Sequence, residues 1–113
     1  RQGTELHVQQ VRQPLYITLS DGYIQNRYNI KIFNKQDKTQ TYALITSGLE
    51  HSRIEVKPSS RFTLGSGEGI TVNARISVDP ELVKDEQQAF QFVLVNRGSN
   101  ERIIVEAQIF LPE

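Results

Sequence analysis

The chain has no cysteine, no methionine and no tryptophan. Without cysteine there are no disulfides, no thiolate metal sites, no iron–sulfur ligation and no cysteine nucleophile. Without either sulfur residue there is no soft ligand for Cu(I). There is no excess of charge either. Thirteen basic and thirteen acidic residues give a formal net charge of zero, which argues against a nucleic-acid binder. No run of 18 apolar residues is present, so no transmembrane helix is expected within these 113 residues. Nor is a signal peptide visible at Arg1–Glu5. That length is close to the commonest size of one domain. With 37% of residues hydrophobic, it is enough for one modest core.

Chemical motifs are equally sparse. The two histidines, His7 and His51, stand 44 positions apart and outside any metal-ligand spacing. His7 is expected on an edge strand and His51 in a loop, both solvated. The G-x-S-x-G elbow is absent. Gly65, Gly67 and Gly69 do not complete a dinucleotide fingerprint, and a strand is expected after them. No D-x-D-x-D spacing exists for Ca²⁺. Glu55 and Glu106 fall in strand-like runs, with nothing to set them at a glycosidase separation. Tyr28, Lys31 and Phe33 come nearest to an aromatic and basic nucleic-acid surface, but Tyr28, Phe90 and Phe92 read better as core.

What the sequence has in abundance is period-2 alternation. Ile70, Val72, Ala74, Ile76 and Val78 fall on one face, and Thr71, Asn73, Arg75 and Ser77 on the other. Similar runs lie at Leu15–Leu19, Tyr28–Ile32, Tyr42–Ile45, Ile54–Val56, Phe62–Leu64, Phe90–Leu94 and Ile103–Leu111. Leu6–Val11 is a weaker run, with Pro14 dividing it from the next. Turn signals separate them at Ser20–Gly22, Asn34–Lys38, Ser47-Gly48, Pro58–Ser60, Gly65–Gly69 and Asn96–Asn100. Asp79-Pro80-Glu81 predicts one helical turn, able to carry the chain between sheets. The pattern predicts an all-β, immunoglobulin-like antiparallel β-sandwich of seven to eight strands, in one domain over residues 1–113. A small barrel is the alternative.

The last two strands are apolar on both faces. A central strand pair explains this, and so does a partner-facing patch of Val93, Val95, Ile104 and Phe110.

The run from Pro14 to Lys35 reads PLYITLSDGYIQNRYNIKIFNK. It resembles the C-terminal domain of the FixG/CcoG family, whose pattern is close to P-L-[YF]-[VI]-x-L-S-D-G-x-I-R-N-x-Y-x-x-K-[IL]-x-N-K. The matching residues include Leu15, Asp21, Gly22, Ile24, Asn26, Tyr28, Lys31 and Asn34; Gln25 stands where the family commonly has arginine. The resemblance implies a soluble C-terminal piece of an integral membrane, polyferredoxin-like protein. Its 4Fe-4S clusters would lie upstream, and this domain would hold no cofactor. It further implies an immunoglobulin-like fold on the periplasmic side of the bacterial inner membrane. The parent's implied role is cbb3-type cytochrome oxidase assembly and copper delivery.

The expectation is therefore a non-enzymatic docking or stabilising domain. Its partner would be an oxidase subunit, a copper chaperone or its own parent, and not nucleic acid. Arg27, with Asn26 and Lys31, would belong to the docking surface. Two alternatives are a transient Cu(II) relay using His7 or His51, and a stand-alone adhesion or carbohydrate-binding sandwich.

Overall fold

The structure is a computed structural model that describes residues 3–113. Among these residues there are nine strands: β1 (Thr4–Gln10), β2 (Ile17–Thr18), β3 (Ile24–Asn34), β4 (Gln40–Ser47), β5 (Ser52–Lys57), β6 (Arg61–Leu64), β7 (Gly69–Val78), β8 (Gln87–Asn96) and β9 (Arg102–Phe110). One sheet runs β1-β3-β7-β5, with β2 also on β3; the other runs β6-β4-β8-β9. All pairings are antiparallel. This is a two-sheet immunoglobulin-like sandwich and not a barrel.

The count exceeds the expected seven to eight because β1 and β2 are separate pieces on the same edge of β3. β1 pairs with Tyr28–Asn34, whereas β2 pairs only with Ile24 and Gln25. Pro14 lies in the gap, where a missing N–H cannot interrupt a ladder. Leu15 and Leu19 fall outside any strand.

Alternation decides which side chains meet. β3 buries Ile24, Asn26, Tyr28, Ile30, Ile32 and Asn34 on its inner face, and β7 buries Val72, Ala74, Ile76 and Val78. From the second sheet, Tyr42, Leu44, Phe90, Phe92 and Leu94 face them. Tyr28, Phe90 and Phe92 meet edge to face, with ring centroids 5.0–5.7 Å apart, the geometry that aromatic quadrupoles favour.

The connection after β7 is a single 3-10 turn, Pro80–Leu82. Asp79 caps it by accepting a hydrogen bond from the Glu81 N–H, and Pro80 has no N–H to leave unpaired. This turn carries the chain from one sheet to the other, as its sequence predicts. Gly65–Gly69 is likewise a turn, closed by Glu68 N–H donating to the Gly65 carbonyl. Glu55 on β5 and Glu106 on β9 belong to different sheets and lie on terminal strands of each, so they form no pair.

Candidate interaction surface

The matched residues of β3 bind the sandwich together. Asn26 is fully buried. Its Nδ2 donates to the Phe110 carbonyl at 2.9 Å, and its Oδ1 accepts from the Phe110 N–H at 2.9 Å and from Gln10 Nε2 at 2.7 Å. One amide thus serves both backbone groups of Phe110, as a neighbouring strand would. Tyr28, two residues on, donates its hydroxyl to the Gln108 carbonyl. Burial pushes its phenol pKa well up. Asn34, at the other end, donates to the carbonyls of Lys38, Leu64 and Gly65 and accepts from the Gln36 N–H. These side chains satisfy backbone where ladders end.

Asp21 and Gly22 form the turn before β3. Gly22 has φ +90°, a conformation other residues reach only at a cost. Asp21 accepts from the Tyr23 N–H and pairs with Arg53 at 2.8 Å; Arg53 also stacks over the Tyr23 ring at 3.8 Å. The Arg53 hydrogen bond, helped by the Tyr23 N–H, holds the Asp21 carboxyl below its ordinary pKa. Ile24 is buried, Leu15 is half-buried and Lys31 is exposed. Most of the matched residues thus make contacts within the domain.

The residues proposed from sequence as a partner surface do not all converge. Arg27 lies on β3, in the first sheet, and donates to the Pro14 carbonyl. Val93, Val95 and Ile104 lie in the second sheet on its outer face. Register places Ile45, Val93 and Ile104 in one row across β4, β8 and β9. Ile45 and Ile104 are 44% and 54% exposed, and between them they leave Val93 only 4% exposed. On one side of this row lies Arg61-Ala43-Val95-Arg102; on the other lies Ser47-Gln91-Glu106. The Gln91 Nε2 donates to Glu106 at 2.7 Å. Phe110, half-buried, lies six residues along β9 from Ile104 and lines a cleft with Val8 and Gln10. Ile45 completes the row. Its signal was present in the sequence, since Ala43 and Ile45 alternate with Tyr42 and Leu44. The central strand pair expected from sequence is half right: β8 is central, but β9 is the sheet's edge.

The histidines are well separated. His7 on β1 is exposed and lies 3.4 Å from Glu5. His51 precedes β5 with φ +59°. β1 and β5 are the opposite edges of one sheet with β3 and β7 between them, a gap of about 14 Å from strand spacing alone. Among the described residues no three His, Cys, Asp or Glu side chains are grouped to hold a metal ion. A cleft of about 450 Å³ opens between β1 and β9, lined by Thr4, Gln36, Tyr42, Asn96, Arg102 and Ile103. There the Tyr42 hydroxyl is bonded to Thr4 Oγ1 at 2.7 Å. No nucleophile and base meet in it.

Comparison with known proteins now gives the fold its family. Residues 1–112 match the family model described as "IG-like fold at C-terminal of FixG, putative oxidoreductase". The chain belongs to this family. Protein RdxB of Cereibacter sphaeroides is 34% identical over 73 residues, covering 63% of this chain and 15% of that protein. Nitrogen fixation protein FixG of Rhizobium meliloti is 25% identical over 126 positions, covering 99% of this chain and 23% of that protein. A FixG-related protein from Vibrio parahaemolyticus has the same fold, with a TM-score of 0.88 and 21% identity over the whole of both chains. The chain thus spans less than a quarter of the length of these two curated relatives. No helix among the described residues is long and apolar enough to cross a membrane.

Proposed function

We propose that this FixG C-terminal domain is a non-catalytic docking or stabilising module of a membrane redox protein. In this reading the parent supports cbb3-type cytochrome oxidase assembly and copper delivery. Its 4Fe-4S clusters lie upstream, since this chain has no thiolate to hold one. The domain faces the periplasm as the soluble end of the parent. Its partner is an oxidase subunit, a copper chaperone or another part of the parent.

The row Ile45-Val93-Ile104 carries the proposal. It is an apolar row running across the outer face from β4 to the β9 edge, bordered by arginines on one side and by Gln91 and Glu106 on the other. An apolar centre with a polar rim is the anatomy of a protein interface. The copper-relay reading is weaker, because among the described residues neither His7 nor His51 is grouped with two further possible ligands.

Removing residues 1–113 from the parent tests the proposal. A fall in assembled oxidase while the parent stays abundant supports docking. A joint fall supports stabilisation of the parent. No change in either sinks both.

A further inference from the structure

We infer that two copies of this chain pair through β9, edge to edge and antiparallel, with Ile104 on the two-fold axis. This goes beyond the docking proposal and stands whether or not that proposal holds.

The first observation is an edge to which no strand of its own sheet is bonded, with β1 of the other sheet alongside it across a cleft. β9 terminates its sheet, so half of its backbone groups have no strand partner. Which half follows from the ladder. Asn96 N–H bonds the Glu101 carbonyl and Leu111 N–H bonds the Glu86 carbonyl. With the register Leu94↔Ile103 and Phe92↔Val105 between them, the odd-numbered residues of β9 face β8 and the even-numbered ones face outward. Gln108 and Phe110 are even, and their backbone is taken by Tyr28 and Asn26. Among the described residues, the outward backbone groups of Arg102, Ile104 and Glu106 have no hydrogen-bond partner.

The second observation is that β9 is the long edge of its sheet, guarded only by Arg102 and Glu106. β6 is only four residues long, and β5 carries Arg53, Glu55 and Lys57. β9 has nine residues, no proline and no lysine.

The third observation selects the occupant. Along β9 the exposed residues read Arg102, Ile104, Glu106, that is basic, apolar, acidic at two-residue spacing. Laid antiparallel on itself about Ile104, this order is its own complement. Arg102 meets the partner's Glu106, Ile104 meets the partner's Ile104, and Glu106 meets the partner's Arg102. The open backbone groups fall on these same residues, so the ladder and the charges demand one register. A parallel arrangement, or a shift by two residues, loses the charge match. Closed two-fold pairing of this kind is the commonest form of association. It also joins the two Ile45-Val93-Ile104 rows into one continuous stripe across an eight-stranded sheet.

The 113-residue chain itself serves for the test, since the Vibrio parahaemolyticus chain of the same fold is this domain and nothing more. Sedimentation over a concentration series up to roughly millimolar is expected to show mass rising from 12.9 kDa towards twice that value. R102E or E106R alone weakens pairing roughly tenfold, because symmetry places each change at two sites. The R102E/E106R double variant restores it. Because the chain has no cysteine, introduced thiols report the register cleanly. I104C joins to itself through a short bismaleimide. R102C joins to E106C in a mixture but not to itself, since the two R102C thiols stand about four residues, or roughly 13 Å, out of register. T71C, exposed on the outer face of the other sheet, gives the background. A monomer at every concentration, with I104C cross-linking no better than T71C, overturns the inference and leaves the edge to a strand from another protein or to water. Self-joining of R102C at the rate of I104C overturns the register.

Discussion

Asn26 does more for this fold than its size suggests. Its amide satisfies the N–H and the carbonyl of Phe110 and holds Gln10. Asn26→Ala leaves these part-buried groups without their partner. We expect a loss of about 2–4 kcal/mol in urea unfolding. Asn73→Ala removes an exposed bond to Asn29 and is expected to change stability by less than about 0.5 kcal/mol. Asp21 gives a pH-dependent counterpart. Its folded pKa is depressed by Arg53 and the Tyr23 N–H. A depressed carboxyl adds stability above its unfolded pKa of about 3.9, lost as pH falls through the lower folded value. Thermal melts of the unaltered sequence and of Asp21→Asn should therefore differ at pH 5 and converge as pH falls through the folded value. Added salt should shrink the difference, since the pair is exposed. The sequence marked Asn26 and Asn34 as matched residues and set Asn26 beside Arg27 on a docking surface, a place its full burial excludes. It did not reveal that both are fully buried, because their burial depends on β9 and β6, which arrive 84 and 30 residues away along the chain.

At the scale of elements, alternation was legible wherever one face is apolar and the other polar. β7 is the clearest case, and its inner residues are those that the pattern named. β3 was foreseen only at Tyr28–Ile32. It extends to Ile24 because Asn26 takes an inward position that a hydrophobic pattern does not register. β8 and β9 were ambiguous because an apolar run on both faces fits a central strand and an exposed patch equally well. Here β8 is central, and β9 is an edge whose Ile104 is exposed. Their hairpin is set by side chains: Asn96 Oδ1 accepts from the Gly98 and Ser99 N–H groups, and Asn96 Nδ2 donates to Gln40. Asn100 completes it at φ +64°, a conformation that asparagine tolerates and β-branched residues do not. Asn100→Gly should thus hold stability within about 0.5 kcal/mol, whereas Asn100→Val should cost about 1–2 kcal/mol in denaturant unfolding. Equal costs for the two would mean that the turn is not what fixes this hairpin.

Across the whole molecule the two outer faces differ in kind. The β1-β3-β7-β5 face presents Lys31, Thr71, Asn29 and Asn73, with Phe33 resting beside Gly69. The other face centres on the Ile45-Val93-Ile104 row. Ile45 and Phe33 are equally exposed at 44%, so they are matched probes of the two faces. Ile45→Ser and Phe33→Ser each remove exposed apolar area, and folding stability is expected to fall by no more than about 1 kcal/mol in either. Their effects on docking should part. Placed in the full-length parent, Ile45→Ser is expected to lower assembled oxidase while parent abundance holds. Phe33→Ser should leave both unchanged. This follows because truncation of an apolar residue at the centre of an interface is costly, whereas loss of one outside it is not. Ile45 lies on β4, two strands in from the β9 edge. Its loss therefore separates docking on the sheet face from pairing at that edge. If Ile45→Ser leaves oxidase untouched while deletion of the domain does not, the partner reads some other surface. If Phe33→Ser proves to be the damaging change, docking belongs to the opposite sheet, and Arg27 and Lys31 return as its charged rim.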